Sequence, residues 1–135
     1  MAEMLLKDEV RKHNLDNISV SSAGVHATPG YPPDPEIFKY LFRTGVPTGN
    51  HSAKSVTEED LNWADLILVM EKRHLEIINA YWPGHEDKVK RLGSYISGDM
   101  DPDDVVDPYG KTPYYYRVTQ SQITLAILNL VKTLI

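Results

Sequence analysis

The run Asp65-Leu66-Ile67-Leu68-Val69-Met70 most constrains what this chain can fold into. On an extended backbone, consecutive apolar residues point to opposite faces in turn, so such a strand needs cover on both sides. A parallel sheet packed between helices supplies that cover, and its strands read as unbroken apolar runs.

The flanking segments fit that architecture. Residues 2–14 read as an amphipathic helix with Ala2, Leu5, Leu6 and Val10 on one face, stopped by Asn14 and the Asp16-Asn17 pair. Ile18 to Ser22 reads as a short strand ended by Ala23-Gly24, followed by a Pro- and Gly-rich loop from His26 to Pro35. Pro35 at a helix start, with Ile37, Phe38, Leu41 and Phe42, predicts a second helix ending at Gly45. Thr57 is placed to cap a third, with Asp60 as its capping-box partner. A helix is expected from Lys72 to Ala80 and a strand from Lys88 to Leu92. After an acidic loop, Pro113 or Tyr114 starts a long terminal helix with Ile123, Ile127, Leu130, Val131 and Leu134 as its core stripe. Strands alternating with helices imply an α/β fold with a parallel sheet, and residues 1–135 read as one domain without linker or repeat.

Composition narrows the function. With 41% hydrophobic and 24% charged residues the chain is of ordinary globular type. A net charge of −5 and the lack of a long basic run argue against nucleic acid or an anionic membrane as partner. The first fifteen residues contain no apolar signal core, and the stretch Ile123 to Val131, broken by Asn129, is too short to span a bilayer. A cytoplasmic location is the expectation, and the N-x-S matches at Asn17 and Asn50 are then chance. Zero cysteines exclude disulfides, thiolate metal sites and thiol catalysis by these residues. Asp99, Asp101, Asp103 and Asp104 have calcium-loop spacing at their start. The sixth position is Asp104 rather than Gly and the twelfth is Gly110 rather than Glu, so the segment reads as a solvated acidic loop and no metal is expected.

Asp107-Pro108-Tyr109 carries the chemistry. An Asp before a Pro is held extended, out of helical geometry. Beside an anion site its carboxyl can take a raised pKa and donate a proton to a leaving oxygen. A lone D-P-Y is usually only a turn, so its neighbours matter. Val20-Ser21-Ser22-Ala23-Gly24, Pro33-Asp34, Gly45-Val46-Pro47, His51-Ser52-Ala53-Lys54, Thr57 with Asp60, Asp65 to Met70, Leu92-Gly93 and Val105 to Gly110 occur in one order along nearly the whole chain. That series resembles the low-molecular-weight protein tyrosine phosphatases. Lys54 stands where arginine is usual, Glu71 where Asp is usual, and one tyrosine rather than two precedes Gly110.

The resemblance implies a three-layer α/β/α domain with a parallel sheet of strand order 2-1-3-4. It implies hydrolysis of a phosphotyrosine protein or small aryl phosphate through a cysteinyl phosphate, without cofactor or metal. By the same resemblance Asp107 is the general acid and Tyr109 the aromatic wall against the substrate ring. Ser22 and His51 support the phosphate loop, and Tyr109 is also a modification candidate. In the family the nucleophile lies on an N-terminal C-x5-R-S loop, followed by a helix starting near Met-Ala-Glu, and this chain begins Met1-Ala2-Glu3. The domain is therefore expected to be N-terminally truncated, to lack the central first strand, and to be inactive as it stands. Without that strand, three outcomes are expected: the remaining strands close up, a homodimer forms through exposed strand edges, or the protein is longer at its N-terminus. The rival functions are an arsenate-reductase-like protein, disfavoured by the lack of resolving cysteines, and a non-catalytic binding or regulatory relative.

Overall fold

The computed structural model describes residues 1–25, 34–47, 53–98, 102–105 and 107–135. The elements in chain order are α1 (Ala2–Lys12), α2 (Pro35–Arg43), α3 (Glu58–Trp63), β1 (Ile67–Val69), α4 (Lys72–Tyr81), β2 (Val89–Arg91), α5 (Ser94–Ser97) and α6 (Pro113–Leu134). β1 and β2 pair in parallel with Ile67 opposite Val89 and Val69 opposite Arg91, and α4 makes the crossover between them.

The two faces of β1 divide the core. Ile67 and Val69 pack with Leu61 of α3, Ile78 of α4 and Val89. Leu68 and Met70 pack on the other side, with Leu92, Val105 and the α6 residues Ile123, Ala126, Ile127 and Val131, joined by Leu5 and Leu6 of α1. The sheet thus lies between α3 and α4 on one face and α1, α5 and α6 on the other, the three-layer α/β arrangement expected of its apolar run. A third cluster, Met4 with Leu41 and Val46, fastens α2 to α1. Among the described residues, no helix is long and apolar enough to cross a membrane.

Local chemistry sets the helix starts. Thr57 Oγ1 accepts the Asp60 N–H at 3.2 Å while the Asp60 carboxylate accepts the Thr57 N–H at 3.0 Å, the capping box read from the sequence. Asp34 caps α2 by accepting the Glu36 N–H at 3.0 Å, with Pro35 pre-set for the first turn. Lys88 Nζ donates to the carbonyls of Leu61 and Ala64 at 2.7 and 3.1 Å, so the open C-terminal end of α3 is closed by the residue leading into β2.

Several expectations need correction. Ile18 to Ser22 is not a strand: its backbone joins no ladder among the described residues, and the nearest pairing is an isolated parallel bridge between Gly24 and Ser55. Strand geometry persists only when a neighbour satisfies its backbone groups, and among the described residues β1 pairs with β2 alone. The alternation is still visible, since Ile18 and Val20 are half-buried while Ser19, Ser21 and Ser22 are exposed. α1 stops at Lys12, and Asn14 takes a left-handed φ of 55° after it. Its best-buried residues are Met4 and Asp8, which lie between the half-buried apolar positions. Leu134 is 36% exposed at the end of α6 and falls outside the core stripe. The short helix α5 had no periodic signal.

Leu130 is 1% exposed whereas Leu125, on the same helix, is 47% exposed. Leu130→Ala is expected to lower unfolding stability by about 2–5 kcal/mol. Leu125→Ala should cost far less, and urea denaturation of the two variants measures the contrast.

Candidate active-site loop

Residues 102–105 and 107–110 lie between the sheet and α6, and several separate anchors hold them. The Val105 N–H donates to the Met70 carbonyl at 2.9 Å, joining the loop to the end of β1. The Asp104 carboxylate accepts the Lys72 N–H at 2.8 Å, at the positive N-terminal end of α4, and Arg91 Nη2 at 2.8 Å. Arg91 also donates to the Pro102 carbonyl, and its side chain is only 10% exposed. Gly93 lies so close to the loop that a Cβ there would sit 2.5 Å from the Asp103 carbonyl oxygen.

Asp107 projects from this frame into solvent. Its Oδ1 accepts the Tyr109 N–H at 3.1 Å, and the Lys111 N–H closes the turn onto the Pro108 carbonyl at 2.9 Å. Gly110, with φ of 75°, takes the left-handed conformation the turn requires. Pro108 is buried beneath, and Tyr109 is 75% exposed beside it. Asp107 and Tyr109 therefore lie on one turn, both exposed.

Beyond the turn a second tie holds α6. Tyr116 Oη donates to Asp34 Oδ2 at 2.6 Å, across 82 residues of sequence. Asp34 thus serves two elements, one oxygen capping α2 and the other receiving α6. Hydrogen bonding to Asp34, then burial and the negative charge of Asp34, push the Tyr116 phenol up to about 12, with Glu36 and Asp107 adding to the shift.

Basic groups at the start of α4 complete the electrostatics. The Arg73 guanidinium is held charged chiefly by Glu71, with Asp107 and Asp104 contributing. His74 is lowered by burial, against the opposing pull of Glu71, Asp104 and Asp107.

The other sequence candidates are not drawn into this network. Ser22 is exposed on the unpaired segment and has no hydrogen bond among the described residues. His51 lies outside the described residues, as do Asp99 and Asp101. Lys54 makes a single point contact, to Asp60 Oδ1 at 3.2 Å. Among the described residues, no group of three or more His, Cys, Asp or Glu side chains could hold a metal ion. Arg91, Asp104 and Tyr116 were not singled out as site residues from the sequence. Asp104 was visible only as part of an acidic run and Tyr116 as the last of three tyrosines, while Arg91 carried no signal.

The Tyr116 tie makes a pH-dependent expectation. Its folded pKa lies above the ordinary phenol value of 10.0, so the folded state holds the proton more tightly. The contribution is complete below the ordinary value and disappears as pH rises from 10.0 to about 12. In an ultraviolet titration of the folded protein, one phenol should ionise last. Tyr116→Phe should remove that step, and Asp34→Ala should return it to the ordinary range.

Comparison with known proteins shows the family and the fold. A family model described as low molecular weight phosphotyrosine protein phosphatase matches residues 1–135. A protein-arginine-phosphatase of Bacillus subtilis is 34% identical over 134 residues, covering 99% of this chain and 87% of the relative. The low molecular weight protein-tyrosine-phosphatase Ptp of Acinetobacter johnsonii is 30% identical over 132 residues, covering 98% and 86%. The crystal structure of a YwlE mutant from Bacillus subtilis superimposes with a TM-score of 0.88 at 34% identity, covering 98% of this chain and 87% of that one. A low molecular weight protein tyrosine phosphatase from T. tengcongensis gives 0.88 at 30% identity, covering 98% and 88%. This chain belongs to the low molecular weight phosphotyrosine protein phosphatase family.

Proposed function

We propose that these residues carry the acid and substrate-wall half of a phosphotyrosine phosphatase site, and that the chain does not turn over phosphate esters as it stands. The reading rests chiefly on one pairing of facts: a well-anchored Asp107 loop in a chain of 135 residues with no cysteine. Cleavage through a cysteinyl phosphate needs a thiolate for in-line attack. It also needs donors for the equatorial oxygens and an acid for the leaving oxygen. Asp107 supplies the last of these, and the first has no residue here. Given a nucleophile, Asp107 protonates the phenolic oxygen while Tyr109 lies against the ring. Ser22 and His51 brace the phosphate loop in this reading, and the site works in the cytoplasm without metal or cofactor.

A second substrate is favoured by one comparison, since a relative at 34% identity is a protein-arginine-phosphatase. The leaving group is then a guanidinium nitrogen, which needs the same proton from Asp107. The exposed ring of Tyr109 favours the aryl ester. A purely binding role is the reading from another class, and an arsenate-reductase role is disfavoured because its usual resolving cysteines have no counterpart here.

The test has two stages. Purified chain should show no hydrolysis of para-nitrophenyl phosphate above buffer, and vanadate-sensitive turnover would overturn the reading. With a strand and C-x5-R-S loop added ahead of Met1, activity should appear. Asp107→Ala should then slow it by about a hundred- to ten-thousand-fold. Tyr109→Ala should depress kcat/KM for a phosphotyrosine peptide more than for a phosphoarginine peptide. An unchanged rate in Asp107→Ala would remove that residue from the role of acid.

A further inference from the structure

We propose that Tyr116, acting through Asp34, is the positioning residue of the Asp107 turn. The proposal rests on the reading of Asp107 as the acid, and Tyr116 itself touches no reacting atom.

The start of α6 stands clear of the core. Pro113, Tyr114, Tyr115 and Arg117 are exposed, Tyr116 and Val118 are half-buried, and the first buried residues of the helix are Thr119 and Gln120. Back along the chain, the nearest buried residue is Pro108. From Tyr109 to Val118, then, no buried side chain fixes the course of the backbone. Thr112 occupies the N-cap position of α6 and makes no capping hydrogen bond with its side chain. The hydrogen bonds from Tyr109 to Asp107, Lys111 to Pro108 and Tyr115 to Thr112 are all local. They shape the turn without tying it to the rest of the molecule. A helix end of this kind opens readily unless something outside it holds it.

The hydrogen bond from Tyr116 Oη to Asp34 Oδ2, at 2.6 Å, is such a hold. Its acceptor is a carboxylate, which makes it stronger than a bond between neutral groups. Asp34 is itself fixed, since Oδ1 accepts the Glu36 N–H at 3.0 Å and its carbonyl accepts the Phe38 N–H at 3.0 Å. Behind it, α2 is fastened to α1 through Leu41 and Met4. A route of fixed elements thus runs from α1 through α2 and Asp34 to Tyr116, and from there back to the turn. On the other side of Asp107, Asp104 is held separately by Lys72 and Arg91. Loss of the Tyr116 bond should therefore free the turn and leave the residues before it in place.

The pair also has a conservative variant. In Asp34→Asn the amide oxygen can still cap α2 while the amide N–H donates to Tyr116 Oη, so both ties survive without the charge. Asp34→Ala loses both.

Amide NMR on the chain as it stands reads the position of the turn. Tyr116→Phe should speed exchange at Lys111 and Tyr115 and shrink the pH-dependent shift that the Asp107 carboxylate imposes on the Tyr109 amide. Val105, Val69 and Leu92 should keep their protection. Asp34→Ala should have the same effect on the turn, and Asp34→Asn should restore it. The form carrying an added strand and C-x5-R-S loop reads the consequence for chemistry. Phenyl phosphate needs a proton on its leaving oxygen more than para-nitrophenyl phosphate, whose leaving group is the better one. Tyr116→Phe should slow the first by about ten- to a hundredfold and the second far less. Three results would each overturn the proposal. One is a turn whose amides do not respond to Tyr116→Phe. Another is exchange that rises equally at Val69 and Leu92, which would make Tyr116 a residue of general stability. The third is a leaving-group contrast in Asp107→Ala that Tyr116→Phe does not share. If Asp107→Ala shows no such contrast, the acid reading falls instead, and the amide measurements then decide the tie on their own.

Discussion

Everything in this structure depends on the two-sided burial of β1. A strand of three residues has few ladder bonds of its own, and among the described residues it has one neighbour. Its side chains make up for that. Ile67 and Val69 join the α3–α4 cluster while Leu68 and Met70 join the larger cluster under α6. Because both layers meet at this strand, its C-terminal end is a rigid reference point, and the loop carrying Asp107 is fixed to it through the Val105–Met70 hydrogen bond.

That attachment turns a general α/β layout into a site. Arg91 is the last residue of β2 and Lys72 the first of α4, and both reach the Asp104 carboxylate. The loop is gripped before Asp107 by the sheet end and after it by the Tyr116–Asp34 bond. Asp107, Tyr109 and Gly110 face solvent on the turn, while Pro108 is buried beneath them. The proposed role of Asp107 as general acid fits this arrangement, because a carboxyl already in place loses little freedom when a leaving oxygen arrives. Kinship with phosphatases explains why such a loop exists. These residues include no cysteine, so the nucleophile that the proposed reaction needs is not among them.

Legibility in the sequence followed the range of the interaction. The Thr57–Asp60 box and Pro35 at a helix start are local patterns that formed where read, the apolar run forms a strand at its centre, and the α6 stripe is buried up to Val131 but not at Leu134. Asp107 and Tyr109 were legible as a motif because three consecutive residues carry the geometry. Ile18 to Ser22 misled because alternation records what a segment can do, while a strand also needs a neighbour. The anchors of the loop were hidden for a related reason. Asp104 with Arg91 and Asp34 with Tyr116 are 13 and 82 residues apart, and nothing local marks either pair.

The central claim is that the chain's own residues hold the Asp107 loop in place, without a nucleophile or ligand to organise it. Amide hydrogen exchange at Val105 tests this most directly. The account predicts a protected Val105 amide in the unliganded protein. In Arg91→Ala that protection should fall sharply while Val69 and Leu92, in the β1–β2 ladder, keep theirs. A Val105 amide exchanging at the rate of an unstructured peptide, or one unaffected by loss of Arg91, would contradict it.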